Sequence, residues 1–265
     1  MGRVAMKIAY DGGAFHGQAR QPGLSTVEGE ILRALGRGRI MADARSSRFQ
    51  SASRTDQGVS ALGNVVAFDA ALAAPVVLRA FNARARGVWA WAAAEVSEDF
   101  NARQAVVRWY RYTLPPSHDP ERLADILAPF VGEHDFRNFT KDRTRTVASI
   151  EVASAAREVD EIVLDFRAPS FRWNLIRRIV AAALQVEGGT RTPAEVERAL
   201  EGSMRIDLGL APPEPLTLMD VQYDVPLDLI VDFTTRDRVR RLSDERARSA
   251  RFAKAVARKF NVPNV

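Results

Sequence analysis

The residue types best suited to chemistry in this 265-residue chain gather in three short segments. The first is Ser53-Arg54-Thr55-Asp56-Gln57-Gly58, where a carboxylate stands two residues after a guanidinium. Gly58, Ser60, Ala61 and Gly63 leave room for a backbone or a base to approach closely. A carboxylate held among cations stays ionised at neutral pH, which suits nucleophilic or electrostatic work. The same Asp-x-Gly spacing also serves an ordinary turn. The second segment is Trp109-Tyr110-Arg111-Tyr112. On a strand, Tyr110 and Tyr112 share one face and Trp109 and Arg111 the other. That pattern fits a packed core, and it also fits a ring that stacks on a base while its hydroxyl makes polar contacts. The third runs from Phe171 to Val180 and on along a helix, with Leu175, Ile176, Ile179, Val180, Ala183, Leu184 and Val186 covering a broad apolar arc and Arg177 at its edge. An arginine there either reaches out to solvent or meets an anion. Asp56 is a candidate for that anion, and a fixed guanidinium would orient its carboxylate.

Composition narrows the chemistry. The chain has no cysteine, which excludes disulfides, thiolate zinc sites, iron–sulfur clusters and cysteine nucleophiles, and its three histidines, His16, His118 and His134, lie far apart. A metal enzyme would need carboxylate ligands instead. No run approaches the roughly 20 apolar residues of a membrane helix, so a soluble, cytoplasmic protein without a membrane partner is expected. The net charge is +5 and the pI about 9.9. Between Pro226 and Val265 ten basic residues face five acidic ones, so this tail carries the whole excess. It reads equally as a solvated basic helix and as a contact surface for RNA.

The elements that must position these residues follow from periodicity and punctuation. A strand at Val4–Tyr10 precedes a helix announced by the capping-box pattern Ser25-x-x-Glu28, with Val27, Ile31 and Leu35 on one face. Strands around Arg48–Ser53 and Gly63–Phe68, a helix from Pro75 to about Arg86 ended by Gly87, and a strand at Val88–Val96 complete βαββαβ. The second half repeats the grammar: a strand at Val107–Leu114, a helix capped by Asp119, strands at Val147–Ala155 and Ile162–Ala168, a helix at about Arg172–Glu187, and a last strand at Leu216–Tyr223. An extra helix opens at Thr192-Pro193-Ala194-Glu195. The fold class is therefore α+β, with two tandem ferredoxin-like halves at residues 1–104 and 105–225 and a basic helical extension at 226–265. Such halves join into a largely antiparallel sheet with helices on one face and a central cleft for RNA, the free face being the expected place for it.

The order of these segments resembles a known family. Ser53-Arg54-Thr55-Asp56-Gln57-Gly58-Val59-Ser60-Ala61-Leu62-Gly63-Asn64-Val65 is similar to the catalytic motif of the TruA family of tRNA pseudouridine synthases. The resemblance extends through Tyr10-Asp11-Gly12-Gly13, Asp99-Phe100-Asn101-Ala102-Arg103, Trp109–Tyr112, His134–Lys141 and Phe171–Val180, and its spelling is nearer to archaeal and eukaryotic members. It implies an isomerase that converts uridine to pseudouridine in the anticodon stem-loop of tRNA. It further implies that the enzyme flips the base, uses no cofactor and no metal, and works as a homodimer. On the same ground, Asp56 is implied as the reacting aspartate, Tyr110 as the ring that stacks on the uracil and shares in proton removal from C5, and Arg177 as the partner of Asp56. Arg54, Thr55, Gly58 and Phe171 are implied on the substrate side. The carboxylate can attack C1′, add to C6 or assist glycal formation. The sequence departs from the family at Gln18, where many members carry tryptophan, at Trp173 and Asn174, where histidines are usual, and at Ala85-Arg86 in place of a Leu-Pro pair. A non-catalytic RNA-binding protein of the same fold is the alternative, although binding alone has no need of Arg54, Asp56, Tyr110 and Arg177 together.

Overall fold

The computed structural model of the protein describes residues 2–202 and 205–260. The first half runs β1 (Gly2–Tyr10), α1 (Val27–Arg37), β2 (Gln50–Ser51), β3 (Ser60–Ala70), α2 (Ala74–Asn82) and β4 (Val88–Val96). The second runs β5 (Val107–Leu114), α3 (Pro120–Leu127), β6 (Gly132–Asp135), β7 (Val147–Ile150), β8 (Val152–Glu158), β9 (Glu161–Ala168), α4 (Leu175–Glu187), α5 (Pro193–Leu200) and β10 (Leu216–Gln222). Then come β11 (Ile230–Val231) and α6 (Arg236–Lys259).

One nine-stranded sheet has the order β11-β4-β1-β3-β10-β5-β9-β8, with β2 also on β3. In each half the last strand lies beside the first, the first beside the third, and the second outermost, so the expected βαββαβ arrangement occurs twice. The seam between halves is the single parallel pairing, Ser60–Ala61 of β3 against Thr217–Leu218 of β10. Farther along, the same edge of β3 pairs with β2 at Val66 and Ala67. The start of β3, just after Asp56, is thus where the halves meet.

The caps explain several boundaries. Asp119 accepts from Arg122 N at the start of α3, and Thr192 and Glu195 form the reciprocal capping box of α5. At α1 the cap is Thr26, which accepts from Gly29 N, and not the Ser25 of the expected box. α4 begins at Leu175, three residues later than its apolar pattern suggests, because Asn174 sits in the left-handed region at φ 66. The strand expected at Val147–Ala155 is two strands: β7 leaves to pair with β6 in a small second sheet, while β8 pairs with β9. Its residues serve two partners, which hydrophobic alternation along one segment does not reveal. β6 and β11 had no sequence expectation. Among the described residues no helix is long and apolar enough to cross a membrane.

The two faces of the sheet differ in kind. On β5, Arg108, Tyr110, Tyr112 and Leu114 are buried, whereas Trp109 and Arg111 on the opposite face are half-buried. That second face carries Trp109 between Arg111 and Arg167, and Lys7 beside Trp91 in an ion pair with Asp220. The helices cover the first face: α1 packs on β4 and α2, α2 on β1 and β4, and α3 on β8 and α4. Met6, Ile8, Phe68, Phe81 and Leu78 fill its core in the first half, and Phe130, Phe136, Phe139 and Phe166 in the second.

Candidate active site

The loop that carries Asp56 is fixed from beneath before it meets its partner. Asn64, fully buried on β3, donates to the Ser53 carbonyl (3.0 Å) and to the Tyr10 hydroxyl (3.3 Å), and its own carbonyl accepts from Ser53 N (3.3 Å). Tyr10 Oη and Thr55 Oγ1 are 2.9 Å apart. Burial pushes the Tyr10 phenol up to about 12 despite hydrogen bonds with Thr55 and Asn64, so it is a neutral strut. Gln18 N donates to the Thr55 carbonyl (3.1 Å), and Val59 N closes a turn onto the Asp56 carbonyl (3.1 Å). The turn reading of Asp56 is therefore correct as local structure, and it leaves the carboxylate free to point outward.

Its partner arrives from the other half. Arg177, in the first turn of α4, places Nη1 3.2 Å from Asp56 Oδ2. The arginine is itself oriented, since its Nε donates to the Ala211 carbonyl (2.8 Å) and its carbonyl accepts from Ala211 N (3.1 Å). A cavity of about 400 Å³ opens over this pair, lined by Gly12, Gly13, Phe15, Gln57, Gly58, Pro213 and Glu214 beside Asp56 and Arg177. Two glycines are needed for its shape. A Cβ on Gly12 would lie 2.3 Å from the Val59 carbonyl carbon, and Gly58, at φ +86, lies under Pro213 so closely that a Cβ would come within 2.7 Å of its ring.

The structure separates the expected site residues into three groups. Asp56, Gly58 and Arg177 share the cavity. Tyr110 and Phe171, outside its lining, pack edge-on against each other with ring centroids 5.3 Å apart, and Thr55 turns its hydroxyl inward to Tyr10, which makes it a brace for the loop. Arg54 is exposed outside the cavity. Burial raises the Tyr110 phenol far above its ordinary value, Tyr10 and Asp56 adding to the rise against a hydrogen bond with Ser53 and the charge of Arg108. A phenol held neutral is a wall and a stacking surface first, and a poor resting base.

Arg177 stands on α4, and Tyr110 and Tyr112 lie on the buried face of β5.

Three residues were missed. Arg108, two positions before Tyr110, is a buried guanidinium with no carboxylate partner among the described residues. It donates to Ser53 Oγ (3.0 Å), to the carbonyls of Ala52 (2.8 Å), Arg103 (2.9 Å) and Ala105 (3.5 Å), and to that of Pro169. Asn64 was seen only as a motif letter, and its two-sided hydrogen bonding is a tertiary property. Glu214 brings a second carboxylate to the cavity. The unusual run Pro212-Pro213-Glu214-Pro215 ahead of β10 was the available signal for it. At the positions that depart from the family, Gln18 is buried and donates to Ser51 Oγ (3.0 Å), and Trp173 is exposed with Lys141 Nζ 5.0 Å from its ring centroid.

A carboxylate locked to an arginine across a seam, with a buried aromatic pair nearby in a double α+β sheet, fits a base-modifying enzyme that works on a nucleoside drawn into a pocket. A family model described as tRNA pseudouridine synthase matches residues 126–224. "tRNA pseudouridine synthase A" of Pyrococcus abyssi is 43% identical over 230 residues, covering 84% of this chain and 85% of that protein. The proteins of the same name from Pyrococcus furiosus, 40% identical with 84% of each chain covered, and from Thermococcus sibiricus, 39% identical with 93% and 94% covered, are similar at this level too. The chain belongs to the tRNA pseudouridine synthase A family.

Proposed function

We propose that this protein isomerises uridine to pseudouridine in tRNA, with Asp56 as the reacting carboxylate. The observation that carries the reading is the Arg177–Asp56 pair at the floor of the shared cavity. The reaction breaks the bond between N1 of the uracil and C1′ of the ribose, turns the base, and joins C5 to C1′. The C5 proton leaves and N1 gains one, so nothing is consumed. A uridine stacked in an RNA helix cannot undergo this, and the base must be extruded into a pocket. Arg177 holds Asp56 in one orientation, a positioning role that costs no reorganisation during reaction. Tyr110 and Phe171 supply the wall against which the base is held, and Arg54, exposed near the mouth, takes up the displaced strand. The substrate uridines belong to the anticodon stem-loop, the enzyme acts as a homodimer, and it works in the cytoplasm; the similarity of its motifs to the family supports all three.

The test is tritium release from tRNA labelled at C5 of uridine, with no cofactor added. The protein should release tritium, and Asp56→Asn should bind tRNA and release none. Turnover by Asp56→Asn at the parent rate would overturn the assignment of Asp56. Binding without release by the parent protein would mark it as the non-catalytic alternative. Carbodiimide-dependent reverse-transcription stops in the product locate the modified uridine, and sedimentation equilibrium gives the subunit number.

A further inference from the structure

The chain continues beyond β10 into a segment that the catalytic site does not use. β11 adds to the outer edge of the sheet, pairing Ile230 and Val231 with Ala93 and Ala92 of β4, and Asp232 N donates to the Trp91 carbonyl (3.0 Å). The Asp232 carboxylate then accepts from Asn82 Nδ2 (2.6 Å) and from the hydroxyls of Thr234 and Thr235 (2.5 Å each), and Arg238 Nη1 donates to the Asn82 carbonyl (2.7 Å). This anchor fixes where α6 starts. About fifteen ångströms along, at a rise of about 1.5 Å per residue, Arg246 Nη2 comes 3.5 Å from Asp11 Oδ2. Asp11 directly precedes Gly12 and Gly13, which line the cavity over Asp56. The helix therefore passes the rim of the site and runs on beyond it.

Its charge changes at that point. From Arg236 to Glu245 basic and acidic residues are mixed, four of one and three of the other. From Arg246 to Lys259 there are six basic residues and no acidic one. The whole helix has a net charge of +7, so the remainder of a +5 chain is net −2 and cannot be what neutralises it. Every described side chain of α6 except Leu242 is exposed. Among the described residues Arg248, Lys254 and Lys259 have no partner, and Arg251 bonds only to the Ala247 carbonyl one turn back. At 100° per residue Arg248, Arg251 and Lys259 project well away from Arg246 and from the body of the protein. Cations near a helix C-terminus complement the macrodipole, but that effect is confined to the last turn. It does not account for Arg246, Arg248 and Arg251.

We infer that the distal half of α6 is a binding surface for the sugar–phosphate backbone of the RNA whose uridine enters the site. This rests on the tRNA-modifying reading and extends it to a segment outside the residues that the family model matches. Phosphate contacts position a nucleic acid without reading its sequence, and each one made by a lysine or arginine steepens the salt dependence of binding.

The experiment compares the parent enzyme with the combined variant Arg248→Gln, Arg251→Gln, Lys254→Gln and Lys259→Gln, measuring kcat and KM by tritium release between about 50 and 200 mM salt. Glutamine is close to arginine and lysine in helix propensity, and circular dichroism checks that the helix persists. The expected result is a KM at least about tenfold higher with kcat unchanged. The slope of log KM against log salt should be lower by about 3 to 4, near 0.9 for each of the four contacts. Arg248→Lys with Arg251→Lys keeps the charge and should keep KM within about twofold. An unchanged KM and slope in the glutamine variant overturns the inference, as does a fall in kcat alone. A halved mass in sedimentation with unchanged KM also overturns it and makes a second copy the partner. Filter binding of tRNA to both proteins reads the same contrast without catalysis. A parent protein that binds tRNA but releases no tritium therefore refutes the enzymatic reading and leaves the helix under its own test.

Discussion

Arg108→Met should cost the protein about 3 kcal/mol of stability and should slow the reaction besides. The guanidinium is only 8% exposed and meets five acceptors without a single carboxylate. Three of those bonds, to Ser53 Oγ and to the Ala52 and Ala105 carbonyls, are fully buried, and Met leaves all three acceptors without this donor. At about 1–3 kcal/mol for each buried group left unsatisfied, the loss would lie between about 3 and 9 kcal/mol. Against it stands the desolvation penalty that the parent bears for a buried cation, several kcal/mol, which Met relieves. Burial accordingly lowers the Arg108 pKa, with the charges of Tyr110 and Tyr223 working the other way. The balance falls near the lower end. Arg108→Lys keeps the charge and part of the hydrogen bonding and should cost about half as much. Urea unfolding followed by tryptophan fluorescence measures both, and a loss under about 1 kcal/mol for Arg108→Met would show that the five contacts are not cooperating as described.

The catalytic consequence needs a reading that simple destabilisation does not move. Arg108 bonds Ser53, and Ser53 bonds the Tyr110 hydroxyl, so the arginine holds the aromatic wall through an intermediary. Arg108→Lys, assayed well below its melting temperature, should lose roughly tenfold in kcat, about 1.4 kcal/mol, with little change in KM. In a Ser53→Ala background the same substitution should lose almost nothing more, because the connection is already cut. Additive losses in that double-mutant cycle would refute the path through Ser53 and leave Arg108 a structural residue only.

Three further outcomes follow from the geometry. Gly12→Ala must move the Val59 backbone, 2.3 Å from the new Cβ, and should cost about 2 kcal/mol or more together with most of kcat; retention of parent activity and melting temperature would contradict the close approach. Because burial holds the Tyr110 phenol neutral, the kcat profile should show no ionisation of Tyr110 up to about pH 10, and Tyr110→Phe should leave the shape of the profile unchanged while lowering its height; an alkaline limb that disappears in Tyr110→Phe would make the tyrosinate a participant. Burial disfavours the charge of Asp165, but hydrogen bonds from Arg111 and Trp109 outweigh it and hold the carboxyl below its ordinary value. A depressed folded value means stability that is fully present above about pH 4 and lost as the pH falls through that value; Asp165→Asn should therefore flatten the acid side of the stability curve, and an unchanged curve would count against the pair.

What the sequence revealed and what it hid divide along the range of the interactions involved. β4 and β5 have the bounds that alternation and Gly87 suggest, and α3 and α5 start at the caps Asp119 and Thr192, because those signals lie within a few residues of what they control. The start of α4 at Leu175 depends on a single left-handed residue, Asn174, whose conformation the apolar arc does not encode. The division of Val147–Ala155 depends on two partner strands that are distant in sequence. Arg108 and Asn64 were invisible for the same reason, since their significance lies in bonds that span between 3 and 61 residues and between 11 and 54 residues respectively, apart from one bond from Asn64 to its neighbour Val65.

The Arg177–Asp56 pair is the instructive exception, a contact across 121 residues that the sequence did suggest. It could be suggested because two local anomalies needed each other: a guanidinium at the margin of an apolar helix face is costly until it meets an anion, and a carboxylate on a glycine turn can be presented to one. Glu214 offered only the proline run around it, which marks a turn and does not name the cavity it lines. Arg248 and Arg251 of α6, by contrast, face outward with no acid among the described residues to meet them, and a polyanion lying across the rim supplies what they lack.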